Sequence, residues 1–165
     1  MFPGFVEEDL RPEERNPEWL KEKGNSFFKS KNFLAAISAY TTAIRLTNSK
    51  CYDLFLNRSA VQFALGNFQR CVNCSVPHFC SIFSSLTFFQ AEDCSMAYDL
   101  LTPHIDLNAK ARSQCLARRG AALCHLGMLQ EGYGELLAAA KLSPSDDKLK
   151  ADIEMISKTL KENCD

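Results

Sequence analysis

Leu20-Lys21-Glu22-Lys23-Gly24-Asn25-Ser26-Phe27, followed by Ala36-Ile37-Ser38-Ala39-Tyr40-Thr41-Thr42-Ala43, sets a plan that two later stretches repeat. Phe55-Leu56-Asn57-Arg58-Ser59-Ala60 leads to Gly66-Asn67-Phe68. Leu116-Ala117-Arg118-Arg119-Gly120-Ala121-Ala122-Leu123 leads through Gly127, Gly132, Leu136 and Ala139 to Pro144. Apolar and small residues at these offsets, in units of about 34 residues, mark a helix-turn-helix that buries its faces only by stacking on neighbouring copies. Phe33, Ala36, Ile37, Tyr40, Ala43 and Ile44 keep the i, i+3, i+4, i+7 spacing of one buried helical face. Gly24 and Ala36 are small where paired helices would cross closely. The expected fold class is therefore all-α.

The pattern resembles the tetratricopeptide repeat and implies a right-handed superhelix of three helix-turn-helix repeats plus a C-terminal capping helix. Residues 1–15, with Pro3, Gly4, Pro12 and a run of acids, read as a disordered lead-in before a repeat domain over 16–163. Asn16-Pro17 supplies a helix cap followed by a proline in the first turn. Repeat 1 is expected over about 17–50, with helices Pro17 to Ser30 and Phe33 to Leu46. Repeat 2 is expected over about 52–104, opening with Tyr52 to Leu65 and a partner helix at Phe68, and interrupted by 72–90. Repeat 3 is expected over about 109–145, with helices Ala109 to Leu126 and Leu129 to Leu142. Leu149, Ile153, Ile156 and Leu160 form one apolar stripe with Lys148, Lys150, Glu154, Lys158 and Lys161 outside it, as a capping helix over about 146–163 requires.

The interruption has its own reading. Val72 to Gln90 carries Pro77 and four serines without helical periodicity, and the helix pattern resumes at Ala91-Glu92-Asp93-Cys94. Removing the segment sets Cys71 and Ala97 at the spacing of Ala36 and Ala43, which repairs the repeat. Val72 must begin with GT, Gln90 can be CAG, and the phenylalanines, serines and cysteine between them allow a pyrimidine-rich tract. The expectation is a short in-frame intron read as protein. A genuine loop insertion is the alternative, since added loop length costs entropy only logarithmically.

At 165 residues the chain suffices for one domain with a real core. Nineteen Lys and Arg against 20 Asp and Glu give a net charge of -1, so the balance calls for no nucleic acid and no anionic membrane. Eight cysteines after an N-terminus that does not read as a secretory leader point to reduced cytosolic thiols. The longest apolar stretch, Val76 to Ala91, is broken by serines and falls short of the roughly 20 residues that span a bilayer. The expected location is cytoplasmic, with a nuclear or cilium-associated pool as the further option.

The first helices of successive repeats in such a stack line a groove. Lys21 and Asn25 are four apart and share a helix face; Asn57 belongs to the next first helix and Arg118 to the third. Two cations and two amides suit a carboxylate-terminated peptide gripped through charge-assisted hydrogen bonds. Trp19-Leu20-Lys21-Glu22-Lys23-Gly24-Asn25, Leu56-Asn57-Arg58-Ser59-Ala60 and Arg118-Arg119-Gly120 resemble the carboxylate clamp of co-chaperone tetratricopeptide domains. That family binds the acidic Glu-Glu-Val-Asp tails of cytosolic heat-shock chaperones of the ninety- and seventy-kilodalton classes. The resemblance makes Lys21, Asn25, Asn57 and Arg118 the clamp residues. A fifth member, normally a lysine four residues before the arginine, is Gln114 here. Losing one charged contact costs on the order of 1.5 to 3 kcal/mol, roughly ten- to hundredfold in affinity. Arg112 lies half a helical turn away and is a poor substitute.

Arg15-Asn16-Pro17-Glu18-Trp19-Leu20-Lys21, Leu34-Ala35-Ala36-Ile37-Ser38-Ala39-Tyr40, Ala43-Ile44-Arg45-Leu46, Asp99-Leu100-Leu101-Thr102-Pro103 and Asn108-Ala109-Lys110-Ala111-Arg112 resemble axonemal dynein assembly factors more narrowly. The likeness covers Glu14 to Ile156 except Val72 to Gln90. It implies a co-chaperone adaptor supporting cytoplasmic preassembly of axonemal dynein arms for motile cilia, with dynein assembly factors or dynein chains as clients. Such proteins also carry an N-terminal chaperone-like β-sandwich, which implies that the sequence is a fragment or an incomplete gene model.

Two other readings stand beside this one: a regulatory repeat domain of a larger enzyme of immunophilin or phosphatase type, and a general scaffold without carboxylate recognition. Cys71-x2-Cys74-x3-His78-x-Cys80, with Cys94 beyond, offers thiolate and imidazole groups but matches no standard zinc spacing. His104 and His125 have no nucleophile-base partner pattern, and the glycines form no phosphate loop. No metal, cofactor or catalytic residue is expected.

Overall fold

The structure, a computed structural model, describes residues 10–68 and 93–162. Its helices are α1 (Pro17–Lys29), α2 (Phe33–Leu46), α3 (Tyr52–Ala64), α4 (Asp93–Asp99), α5 (Ala109–His125), α6 (Leu129–Leu142) and α7 (Asp147–Glu162). Short 3-10 turns at Pro12–Glu14 and Asp106–Asn108 precede α1 and α5. There is no strand among the described residues. Each helix packs on those next to it in sequence, and α3 also touches α5. This is the expected all-α stack, with α1–α2 and α5–α6 as hairpins, α4 packed on α3, and α7 closing the end against α6.

Local chemistry sets the boundaries. Asn16 Oδ1 accepts the backbone N–H of Glu18 at 2.9 Å, with Pro17 in the first turn, so α1 begins capped. The turns after α1, α3 and α5 share one hydrogen-bond pattern. Asn32, Asn67 and Met128 N–H groups reach back to Phe27, Gln62 and Leu123 carbonyls at 2.9, 2.9 and 3.0 Å, closing each helix end with a left-handed residue at Lys31, Gly66 or Gly127.

Close approach within a repeat rests on small residues. A Cβ built on Gly24 would lie 2.5 Å from the Tyr40 ring, and one on Gly132 would meet Cys124 Sγ at 2.4 Å and the Gly120 carbonyl at 2.7 Å. Leu20, Ala36, Tyr40, Ala43, Leu54, Phe55, Val61, Ala97 and Cys115 form the central core, and Leu116, Leu136, Ala139, Leu149 and Ile156 form the core beneath α7.

One boundary differs from the sequence expectation of a disordered lead-in through residue 15. Leu10 is buried in the central core, Arg15 Nε donates to its carbonyl at 3.1 Å, and Pro12–Glu14 make a 3-10 turn. The apolar contact of Leu10 outweighs the proline and acid-rich composition around it. Residues 1–9, the expected insertion Val72 to Gln90, and Cys71, Cys74, His78 and Cys80 lie outside the described residues. Among the described residues, no helix is long and apolar enough to cross a membrane, and no group of three or more His, Cys, Asp or Glu is placed to hold a metal ion.

Candidate functional site: a polar strip on three first helices

The helices α1, α3 and α5 are the first helices of the three repeats, and the candidate side chains tie them together in order. Asn25 on α1 uses Oδ1 to accept the Tyr40 hydroxyl at 2.6 Å and the Asn57 Nδ2 group of α3 at 3.4 Å. Both bonds fall on the amide oxygen, which leaves the Asn25 NH2 as the end turned to other acceptors. Burial pushes the Tyr40 phenol up to about 12, so it stays a proton donor at neutral pH. Tyr40 thus fixes the rotamer of Asn25 from behind, while Gly24 makes room for its ring.

On α5, Arg118 Nη1 donates to the Leu56 carbonyl and, at 2.9 Å, to Ser59 Oγ, both on α3. Ser59 in turn donates to Leu56 O at 2.7 Å. The guanidinium has five donors in a rigid fork, so anchoring through Nη1 orients the whole group. Gln114 is exposed one helical turn before it. Arg112 is buried and committed to the loop before α5: Nε donates to Asn108 Oδ1 at 2.8 Å and Nη2 to the Ile105 carbonyl at 3.0 Å. It therefore cannot supply the cation that Gln114 lacks.

Lys21 stands at the α1 end. Its Nζ lies 3.1 Å from Glu18 Oε1 and 3.5 Å from Asp53 Oδ2 on α3. Burial alone would lower the ammonium pKa, but the hydrogen bond to Glu18 and the charges of Asp53 and Glu18 outweigh it and the net shift is upward. Lys21 is a permanent cation at neutral pH.

Lys21, Asn25, Asn57 and Arg118, with exposed Gln114 one turn before Arg118, can offer ammonium, amide and guanidinium donors to one extended acidic segment. Sequence reasoning placed Tyr40 on a buried helix face without seeing it as the partner of Asn25, and passed over Asp53. The signal for Asp53 was present, since it stands four residues before Asn57 and shares its helix face as Lys21 shares that of Asn25.

Stacked helix-turn-helix units closed by a terminal helix have the architecture of a tetratricopeptide-repeat (TPR) domain. No family model matches the chain. Over 148 residues, 90% of its length, the chain is 41% identical to Dynein axonemal assembly factor 4 of Pongo pygmaeus, and over an equal span 40% identical to that of Mus musculus. It spans 30% of the length of these curated relatives. Among solved structures, it is similar to the first TPR of Spaghetti (RPAP3) bound to the HSP90 peptide SRMEEVD, at 25% identity and a TM-score of 0.65, covering 88% of this chain and 94% of that one. It is also similar to the Arabidopsis OM64 TPR domain, at 27% identity and a TM-score of 0.65, covering 86% of this chain and 94% of that one.

Proposed function

We propose that the chain is a co-chaperone adaptor whose α1–α3–α5 strip binds the acidic C-terminal tails of heat-shock chaperones of the ninety- and seventy-kilodalton classes. Lys21, Asn25, Asn57 and Arg118 hold the terminal carboxylates, with Gln114 where a further cation would strengthen the grip. The observation that supports this reading is that the three helices carrying these residues are tied by Lys21–Asp53, Asn25–Asn57 and Arg118–Ser59. A neighbour of the same fold, 25% identical, holds a peptide ending in Glu-Glu-Val-Asp. The module binds and does not catalyse.

Its cellular role, on the likeness to Dynein axonemal assembly factor 4, is the cytoplasmic preassembly of axonemal dynein arms for motile cilia, with dynein chains or other assembly factors as clients. Calorimetry with a free-acid Glu-Glu-Val-Asp tail and its C-terminal amide tests the site. Amidation removes a terminal charge and should abolish most of the binding; equal affinity for both peptides would sink the clamp. Dynein arms that assemble normally in ciliated cells lacking the protein would refute the cellular role.

A further inference from the structure

The cation at the α1 end of the strip is already engaged by a carboxylate from the next repeat. Glu18, on the same helix as Lys21, has a side chain 69% exposed and is free to swing into water. Asp53 differs, because it projects from α3 in the next repeat and its Oδ2 lies 3.5 Å from Lys21 Nζ across the helix pair. Its place four residues before Asn57 puts it on the binding face of α3. A carboxylate there occupies the position toward Lys21 that a ligand carboxylate would take, and it repels that ligand as well.

Resting on the clamp reading, we propose that Asp53 is an internal competitor for Lys21, an affinity-setting residue that an acidic tail must displace. Lys21 is then held between two acidic groups of the protein itself, so an incoming carboxylate meets a cation already neutralised and must displace Asp53 from it. Together with Gln114, this makes the groove a weak binder that releases its partner readily. The effect is one exposed ion pair in size, and therefore modest and sensitive to salt.

Calorimetry of the full chain with a free-acid Met-Glu-Glu-Val-Asp peptide tests it, using wild type, Asp53→Asn, Lys21→Ala and the double variant. Asp53→Asn should tighten binding about two- to fivefold at low salt, with the gain shrinking as salt rises. Asp53→Ser, which also removes the charge, should do the same if Asp53→Asn folds poorly. Glu154→Gln, which changes net charge equally on distant α7, should leave affinity unchanged. In the Lys21→Ala background the Asp53→Asn gain should shrink to the small part due to direct repulsion of the tail, because the competition for Lys21 is gone. A gain of equal size in both backgrounds, or no gain in wild type while amidation still abolishes binding, overturns the proposal and leaves the clamp standing. Indifference to amidation overturns the clamp and this inference with it.

Discussion

The turns after α1, α3 and α5 each place a residue in the left-handed region, at φ 60° for Lys31, 74° for Gly66 and 83° for Gly127. Two of them carry glycine, for which the conformation is free of Cβ strain, and the first carries lysine, for which it is not. Lys31 is exposed and its hydrogen bond to the Phe28 carbonyl, at 3.0 Å, comes from the backbone, so nothing but the strain depends on the side chain. Lys31→Gly should therefore stabilise the fold by about 0.5 to 1 kcal/mol, read as a higher urea midpoint with an unchanged slope; a lower midpoint would show that the αL strain is not the governing term. Reactivity separates the cysteines at the same scale. Burial, with the neighbouring Cys94 adding to it, pushes the Cys115 thiol up to about 12, so it is neutral and enclosed at pH 8, whereas Cys51 is exposed. A thiol-directed reagent at pH 8 followed by peptide mapping should label Cys51 fast and leave Cys94 and Cys115 unmodified until denaturant is added. Equal labelling of Cys51 and Cys115 in the native protein would contradict the packing of α5.

At the scale of elements, α4 is held by more than its apolar face. Arg58 on α3 donates Nε to Asp93 Oδ2 at 3.0 Å and Nη2 to Oδ1 at 2.7 Å, while its Nη1 donates to Thr41 on α2 at 2.9 Å. The two side chains are 12% and 3% exposed, so this fork joins three helices inside the protein. Removing one partner strands the other charge, and Asp93→Ala should cost about 3 to 5 kcal/mol; a thermal midpoint within a degree of wild type would show the pair is dispensable. The helices themselves were legible in advance because Leu20, Gly24, Ala36, Tyr40 and Ala43 repeat their offsets, and periodicity needs only local sequence. The Arg58–Asp93 pair was not, since a contact across 35 residues leaves no periodic trace. Leu10 was missed for a related reason: one apolar anchor in an acidic, proline-containing stretch looks like composition typical of disorder until its pocket is known. Polar positions on the strip could be picked out by motif, while their partners, Tyr40 on α2 and Asp53 on α3, depend on how repeats stack.

On the scale of the whole molecule, the strip exists only because three repeats stack, with α1 tied to α3 through Lys21–Asp53 and Asn25–Asn57, and α3 to α5 through Arg118. Binding and stability are therefore coupled, and a clamp variant must be judged on both. Arg118→Ala removes a ligand donor and also the hydrogen bonds to Leu56 and Ser59, so it should lower stability by about 1 to 3 kcal/mol and weaken tail binding tenfold or more. Lys21→Ala removes a cation whose partners among the described residues are two carboxylates, so it should weaken binding with little change in the melting midpoint. Gln114→Lys supplies a cation on the exposed turn before Arg118 and should strengthen a wild-type affinity expected on the order of tens of micromolar or weaker. Calorimetry with a free-acid tail, paired with thermal melts of each variant, separates these outcomes. If Lys21→Ala binds as wild type does, and Gln114→Lys gains nothing although both proteins melt normally, then donors along the strip do not grip a carboxylate, and the stack must recognise its partner by another face.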